Sequence, residues 1–326
     1  MNIDKGLNYG IIGNCKSSAL INEDSSIDWC CLPQFDSSAI FCKIIDNHIG
    51  GSFKIEADES YIITQQYINN TAIVRTNFKN EKNEFEVLDF MTRYKLDDQN
   101  FYSPPEIQRL INPIAGLPKI KVLYNPTLEY ANGKTKTYEK EDFIVSVFDE
   151  ASYETLFLYT DIEKKKILEN KEFELSKSVY LNLSYNEKID LPSLSKSEEE
   201  LKKTQEYWLN WCKKSPSFKL YNKEITRSSI TLKLLTFEKT GAVLAAATTS
   251  IPETIGEVRN WDYRFCWIRD ASMVIKIIAK LGHQRIVKNF IDFIVNLIPN
   301  KNEKLQIMYG IDGQKTLTEK ILKHLS

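Results

Sequence analysis

The spacing of apolar and polar positions changes part-way along the chain. Up to residue 193, short runs alternate with a period of two and are separated by turn residues. That is the pattern of strands with one buried face. In Thr71–Phe78, the residues Ala72, Val74, Thr76 and Phe78 fall on one side. In Phe85–Met91, Phe85 and Val87 oppose Leu88 and Phe90. Ile120, Val122 and Tyr124 repeat the alternation, as do Phe143–Phe148 and Leu156–Tyr159. Asn80-Glu-Lys-Asn83, Asn125-Pro126 and Asn132-Gly133 supply turn chemistry between them. Many short strands of this kind predict an antiparallel β-sandwich.

Next, Ser195–Lys214 reads as a helix docking one domain on another, with Ser197 and Glu200 as a capping box and Leu201, Trp208 and Trp211 on one face. From Tyr221 the period is helical. Ile230, Leu234 and Phe237 share a face, and Thr240-Gly241 closes that helix with Gly241 as a left-handed cap. A long loop, Ala242–Arg269, carries Pro252 and Gly256. The spacing predicts the next helix after Asp270, with a stripe of Val274, Ile277, Ile278 and Leu281 ended by Gly282. Ile286, Phe290, Phe293 and Leu297 align in a third helix before Pro299. The expected organisation is therefore a β-sandwich domain over 1–193, a linker helix over 194–220 and a helical domain over 221–326. Three helices and a loop are too few to close a domain, so faces such as Val274/Ile278 and Phe290/Leu297 are expected to lie open. Open apolar faces favour self-association.

Composition narrows the function classes. The 326 residues are 42% hydrophobic and 27% charged, with a formal net charge of −1. No strong field favours nucleic acid or an anionic membrane. No apolar run approaches the roughly 18 residues of a membrane span, and the polar start Met1-Asn-Ile-Asp-Lys-Gly6 does not read as a signal peptide. Six cysteines and three histidines show no metal-ligand spacing, so neither a metal nor a cofactor is expected. Scattered cysteines fit buried thiols in a reducing compartment, and the expected location is the cytoplasm.

The densest chemistry lies in Arg259–Ser272, where Trp261, Tyr263, Phe265 and Trp267 stand among Arg259, Asp262, Arg264, Arg269 and Asp270. Aromatic faces beside carboxylates and guanidinium groups suit a sugar: the ring's C–H face lies on an aromatic, and its hydroxyls take charge-assisted hydrogen bonds. Tyr263 and Trp267 are four apart, and Trp267 and Asp270 three apart, so in a wound segment they converge. Asp270 also suits an N-cap ahead of the apolar helix. Cys266 lacks an activating partner and reads as an inert buried thiol. Lys304–Gly313, with Tyr309-Gly310, is a candidate second wall. Asp28-Trp29 and Asp36 read as turn and core residues. Glycoside hydrolysis needs two carboxylates, about 6.5–9.5 Å apart for inversion. Among Glu253, Glu257, Asp262, Asp270, Asp312 and Glu319, no spacing marks such a pair, and no catalytic residue is assigned.

Thr240–Glu253, Gly256 and Val258–Ser272 closely resemble bacterial members of glycoside hydrolase family 15, which holds glucoamylases, glucodextranases and glucoamylase-like trehalases. Tyr9–Cys15 and Asp28–Ser37, with Arg109, Gly116, Pro126 and Tyr130, resemble the trehalase-like N-terminal domain of those enzymes. Thr204, Tyr207, Trp208 and Trp211 resemble its linker helix, and Leu305–Gly313 another family stretch. The resemblance implies an N-terminal β-sandwich followed by the first helices of an (α/α)6 barrel, and inverting hydrolysis of α-glucosidic bonds at a non-reducing end. It implies that Arg269 and Asp270 bind hydroxyls of the glucose beside the scissile bond, that Tyr263 and Trp267 line the same subsite and that Tyr309 lies near. In the family the general acid is a Glu well downstream of the Leu305–Gly313 stretch, and the base a Glu further on. The chain is thus expected to hold the glucose-binding segment in a truncated barrel without either glutamate. The implied partners are an α-glucoside oligosaccharide or disaccharide, and a second chain supplying the rest of the barrel or a second copy of this one.

Overall fold

The computed structural model describes residues 8–97, 100–149, 153–249, 261–298 and 304–325. Antiparallel sheets come first and helices follow. One sheet runs in the order Tyr9–Gly13, Ser18–Asn22, Ser26–Cys31, Ser52–Glu56, Lys119–Asn125 and Phe173–Glu174, with Ala39–Phe41 paired to Ser26–Cys31. The other runs Thr135–Glu139, Ile144–Phe148, Thr155–Thr160, Val179–Tyr185, Glu106–Ala115, Glu84–Phe90, Val74–Lys79 and Ile62–Tyr67. Their facing side chains, among them Phe53, Ile55 and Val122 from the first and Val74, Phe78, Phe85 and Val87 from the second, form one core. Each such side chain contributes about 1.5–3 kcal/mol when fully buried.

The two apolar faces of Phe85–Phe90 have a simple cause. Phe85 and Val87 enter the sandwich core, whereas Leu88 and Phe90 join Leu110, Tyr159 and Tyr180 on the opposite face. There Leu194 and Leu201 pack against them from the linker helix, Leu194–Cys212. The expected capping box is corrected. Ser193 caps this helix by accepting from the Lys196 amide at 3.2 Å. Ser197 and Glu200 lie buried within it, and the Glu200 carboxylate accepts from Thr92 Oγ1 at 2.9 Å and from Gln108 Nε2.

Arg109 pins the sheets together. Its buried guanidinium grips Asp89 through Nε at 2.7 Å and Nη2 at 3.2 Å. It then crosses to the other sheet, donating to the carbonyls of Phe53 at 2.5 Å and Ser25 at 2.6 Å.

Among the described residues, three helices follow the linker: Asn222–Leu234, Ile268–Lys280 and Gln284–Leu297. Ile230, Leu234 and Phe237 are buried as the spacing predicts, but the first helix stops at Leu234. Gly241 instead closes the following turn, at φ +87°, where a Cβ would meet the Asn289 carbonyl oxygen at 2.4 Å. The second helix starts at Ile268, ahead of Asp270, because Trp267 is held in a strand pair and takes the N-cap position. Its buried face is Ala271, Ile275, Ile278 and Leu281, so the expected stripe is rotated. Ile286, Phe290, Phe293 and Leu297 are all buried, sharing a core with Trp208 and Trp211. Ile278, Phe290 and Leu297 are therefore not open. The exposed apolar positions of these helices are Met273, Ile277, Ile291 and Val295, at 46–67%. Pro252, Gly256 and Pro299 lie outside the described residues.

All six cysteines are free thiols, five of them buried and Cys212 half-buried. Among the described residues, no helix is long and apolar enough to cross a membrane, and no cluster of His, Cys, Asp and Glu could hold a metal ion.

Candidate functional site

Two stretches far apart in sequence meet as a short antiparallel pair, Cys266–Trp267 against Met308–Tyr309. Cys266 lies opposite Tyr309 and Trp267 opposite Met308, and the Ile268 amide donates to the Ile307 carbonyl at 3.0 Å. The pairing fixes where the strand ends and the helix begins. It sets Arg269 and Asp270 in the helix's first turn, where the exposed amides favour a carboxylate. The Arg269 side chain is 85% exposed and that of Asp270 40%, with Nε to Oδ2 at 3.7 Å. Both can reach a ligand from solvent.

Beside them stands an aromatic cluster. The Trp267 ring meets Tyr263 edge-on at 6.1 Å and Trp261 edge-on at 6.1 Å. The Trp267 indole N–H donates to the Asp262 carbonyl at 3.0 Å, locking the ring. The 242–249 loop supports the cluster from behind: Ala246 N donates to Tyr263 O at 2.8 Å, and Thr249 Oγ1 to Trp261 O at 3.0 Å. Tyr309 sits apart. Its ring is buried and its hydroxyl accepts from the Gln306 amide at 2.9 Å, so it backs the wall rather than facing outward. Cys266 is buried, which pushes its thiol up to about 11 and keeps it protonated.

Sequence reasoning counted Arg264 only as one charge among several. Its guanidinium is buried and holds Asp262 at both carboxylate oxygens, 3.0 and 2.7 Å. It then donates to the Ser37 carbonyl at 2.8 Å and to Cys31 Sγ at 3.3 Å, both in the sandwich. Burial raises the Cys31 thiol to about 11 despite that guanidinium. Trp29, read as core, is core, and its indole N–H also reaches the Ala247 carbonyl at 2.8 Å. The Asp262-x-Arg264 spacing was the only sequence signal for this anchor.

Of the candidate carboxylates, Asp262 is committed to Arg264, and Asp312 pairs with Lys239 at 2.9 Å. Arg259, Asn260, Glu253 and Glu257 lie outside the described residues. The site can bind a polar ring with an aromatic wall and two charged groups. Among the described residues nothing places two carboxyls across it.

Two family models match the chain: "Trehalase-like, N-terminal" over residues 7–179 and "Glycosyl hydrolases family 15" over residues 219–324. Among similar proteins, the trehalase of Thermoplasma volcanium is 30% identical over 97% of this chain and 51% of its own length. That of Thermoplasma acidophilum is 31% identical over 93% of this chain and 52% of its own. That of Mycobacterium tuberculosis is 26% identical over 98% and 50%. The chain spans about half the length of the curated relatives it matches.

Proposed function

From the premise that this chain belongs to the glycosyl hydrolase family 15 proteins with a trehalase-like N-terminal domain, we propose that it carries the glucose-binding segment of an inverting α-glucosidase. The domains are a sandwich over 1–193, a linker helix over 194–220 and the first part of an (α/α)6 barrel over 221–326. Trp267 and Tyr263 line the subsite, Arg269 and Asp270 bind the sugar hydroxyls, and Tyr309 stiffens the wall. The observation that carries this reading is the strand pair between Cys266–Trp267 and Met308–Tyr309, which joins the two stretches with Arg269 and Asp270 exposed beside it. The relatives' names favour trehalose among α-glucosides. Buried thiols suit the reducing cytoplasm.

Among the described residues no two carboxyls face each other across the subsite, and neither acid nor base is assigned to it. General acid–base assistance alone is worth about 10²–10⁴-fold, so a subsite without such a pair should release little glucose. The exposed Met273, Ile277, Ile291 and Val295 favour a half-enzyme completed by a further polypeptide over a freestanding sugar-binding module. Glucose released from trehalose, maltose and isomaltose tests this. Clear turnover lost in Asp270→Ala would place the catalytic pair within these residues and overturn it.

A further inference from the structure

A cavity of about 780 Å³ lies away from the Trp267 stretch, where the sandwich, the linker helix and the helical part meet. Its size falls within the roughly 300–1,000 Å³ of small-molecule sites. The sandwich contributes Tyr94 and Phe101, the linker helix Tyr207 and Trp211. His283 stacks on Trp211 with centroids 3.9 Å apart and a 2° tilt. Burial lowers its pKa to about 4, so it is a neutral wall.

The charge on the walls is one-sided. Lys95, Lys203, Lys214, Lys233 and Arg285 line the cavity against Glu206 and Glu238. Glu238 is already paired with Arg93 and Lys203 with Glu199 at 2.6 Å, so the positive excess rests on Lys214 and Lys233. Lys233 is the telling group. It is only 8% exposed, yet among the described residues its ammonium donates a single hydrogen bond, to Thr236 Oγ1 at 3.3 Å. It has no carboxylate within ion-pair distance among the described residues. A buried ammonium with one neutral acceptor is costly unless an anion joins it. Behind the same wall, Arg93 is fully buried against the Phe101 and Tyr207 rings, and its Nε and Nη2 have no hydrogen-bond partner among the described residues. The N-terminus of helix Gln284–Leu297 also borders the cavity, and the positive end of its dipole favours an anion there.

We propose that this cavity is a second ligand site, for a phosphomonoester carried on a sugar or nucleoside ring. The phosphate meets Lys233 and the rim lysines, and the ring lies among the aromatic walls. Because the walls come from all three parts of the chain, occupancy ties them together.

Calorimetric titration of the whole chain with glucose 6-phosphate, AMP, inorganic phosphate and glucose tests this. At least one ester should bind saturably and about tenfold more tightly than inorganic phosphate, with glucose not binding at this site. Lys233→Gln should weaken the ester about tenfold or more, the scale of one lost charged hydrogen bond. Lys214→Glu, on the exposed rim, should weaken it likewise while leaving the ligand-free melting temperature unchanged. No ester binding, or ester binding unaltered in both variants, would overturn the site. Inorganic phosphate binding as tightly as both esters would overturn the ring-bearing ligand.

Discussion

Arg264 donates a 2.8 Å hydrogen bond to the carbonyl of Ser37, so the segment that presents Tyr263 and Trp267 is bolted to the sandwich. The same guanidinium holds Asp262 bidentately, and the Asp262 carbonyl in turn holds the Trp267 indole. The N-terminal domain thus helps shape the candidate sugar site.

Replacing Arg264 with Leu should loosen both. It leaves Asp262 and the Ser37 carbonyl without their donor, and breaking a buried pair costs about 3–5 kcal/mol. Asp262 is partly exposed, so the low end is expected. Denaturant unfolding should show the loss, and Trp267 fluorescence should shift even where the variant stays folded.

Arg109 and Asp89 form a pair with both side chains fully buried. Burial pushes the Asp89 carboxyl up and Arg109 pulls it back. Arg109→Met should cost about 3–5 kcal/mol by stranding Asp89 and the Ser25 and Phe53 carbonyls. The double variant Arg109→Met/Asp89→Leu should recover part of that loss in the same unfolding measurement.

Stability should fall as pH rises through neutrality. Glu106 is buried, and burial first, then the neighbouring Glu200, raise its pKa to about 8, with Lys196 opposing. A carboxyl whose folded pKa is raised contributes fully below its unfolded value and loses that contribution as pH climbs to about 8. The melting temperature should therefore drop between roughly pH 4.3, the reference value for Glu, and about 8, the folded value, by this mechanism, and Glu106→Gln should flatten the slope.

The helical pattern was legible where one stripe was apolar and the rest polar. Helix Gln284–Leu297 buries the four residues its spacing named. In Ile268–Lys280, apolar residues surround most of the helix, so the period left the buried face ambiguous. Its start was hidden by a competition the local sequence does not record: Asp270 is a good N-cap, but Trp267 is pinned by Met308. Ser197 was the expected cap of the linker helix, but Glu200 docks against Thr92 and Gln108 instead, and Ser193 caps the helix. At the site, Tyr263 and Trp267 do meet, but through a turn and the strand pair rather than the wound segment their four-residue spacing suggested. Arg264's reach could not be read, because its sandwich acceptors include backbone carbonyls, which leave no sequence mark.

The exposed Met273, Ile277, Ile291 and Val295 should drive self-association when no other polypeptide covers them. Light scattering should show species larger than a monomer at micromolar concentration. Ile277→Lys with Val295→Lys should shift them toward the monomer.

The most direct test of the proposed sugar site is a calorimetric titration of the chain with trehalose, repeated on Trp267→Ala. The account predicts saturable binding that weakens at least about tenfold in the variant, while circular dichroism reports an unchanged fold; losing one aromatic contact on a sugar is worth about 1.4 kcal/mol or more on this scale. No binding to the original chain, or equal binding by both, would contradict it.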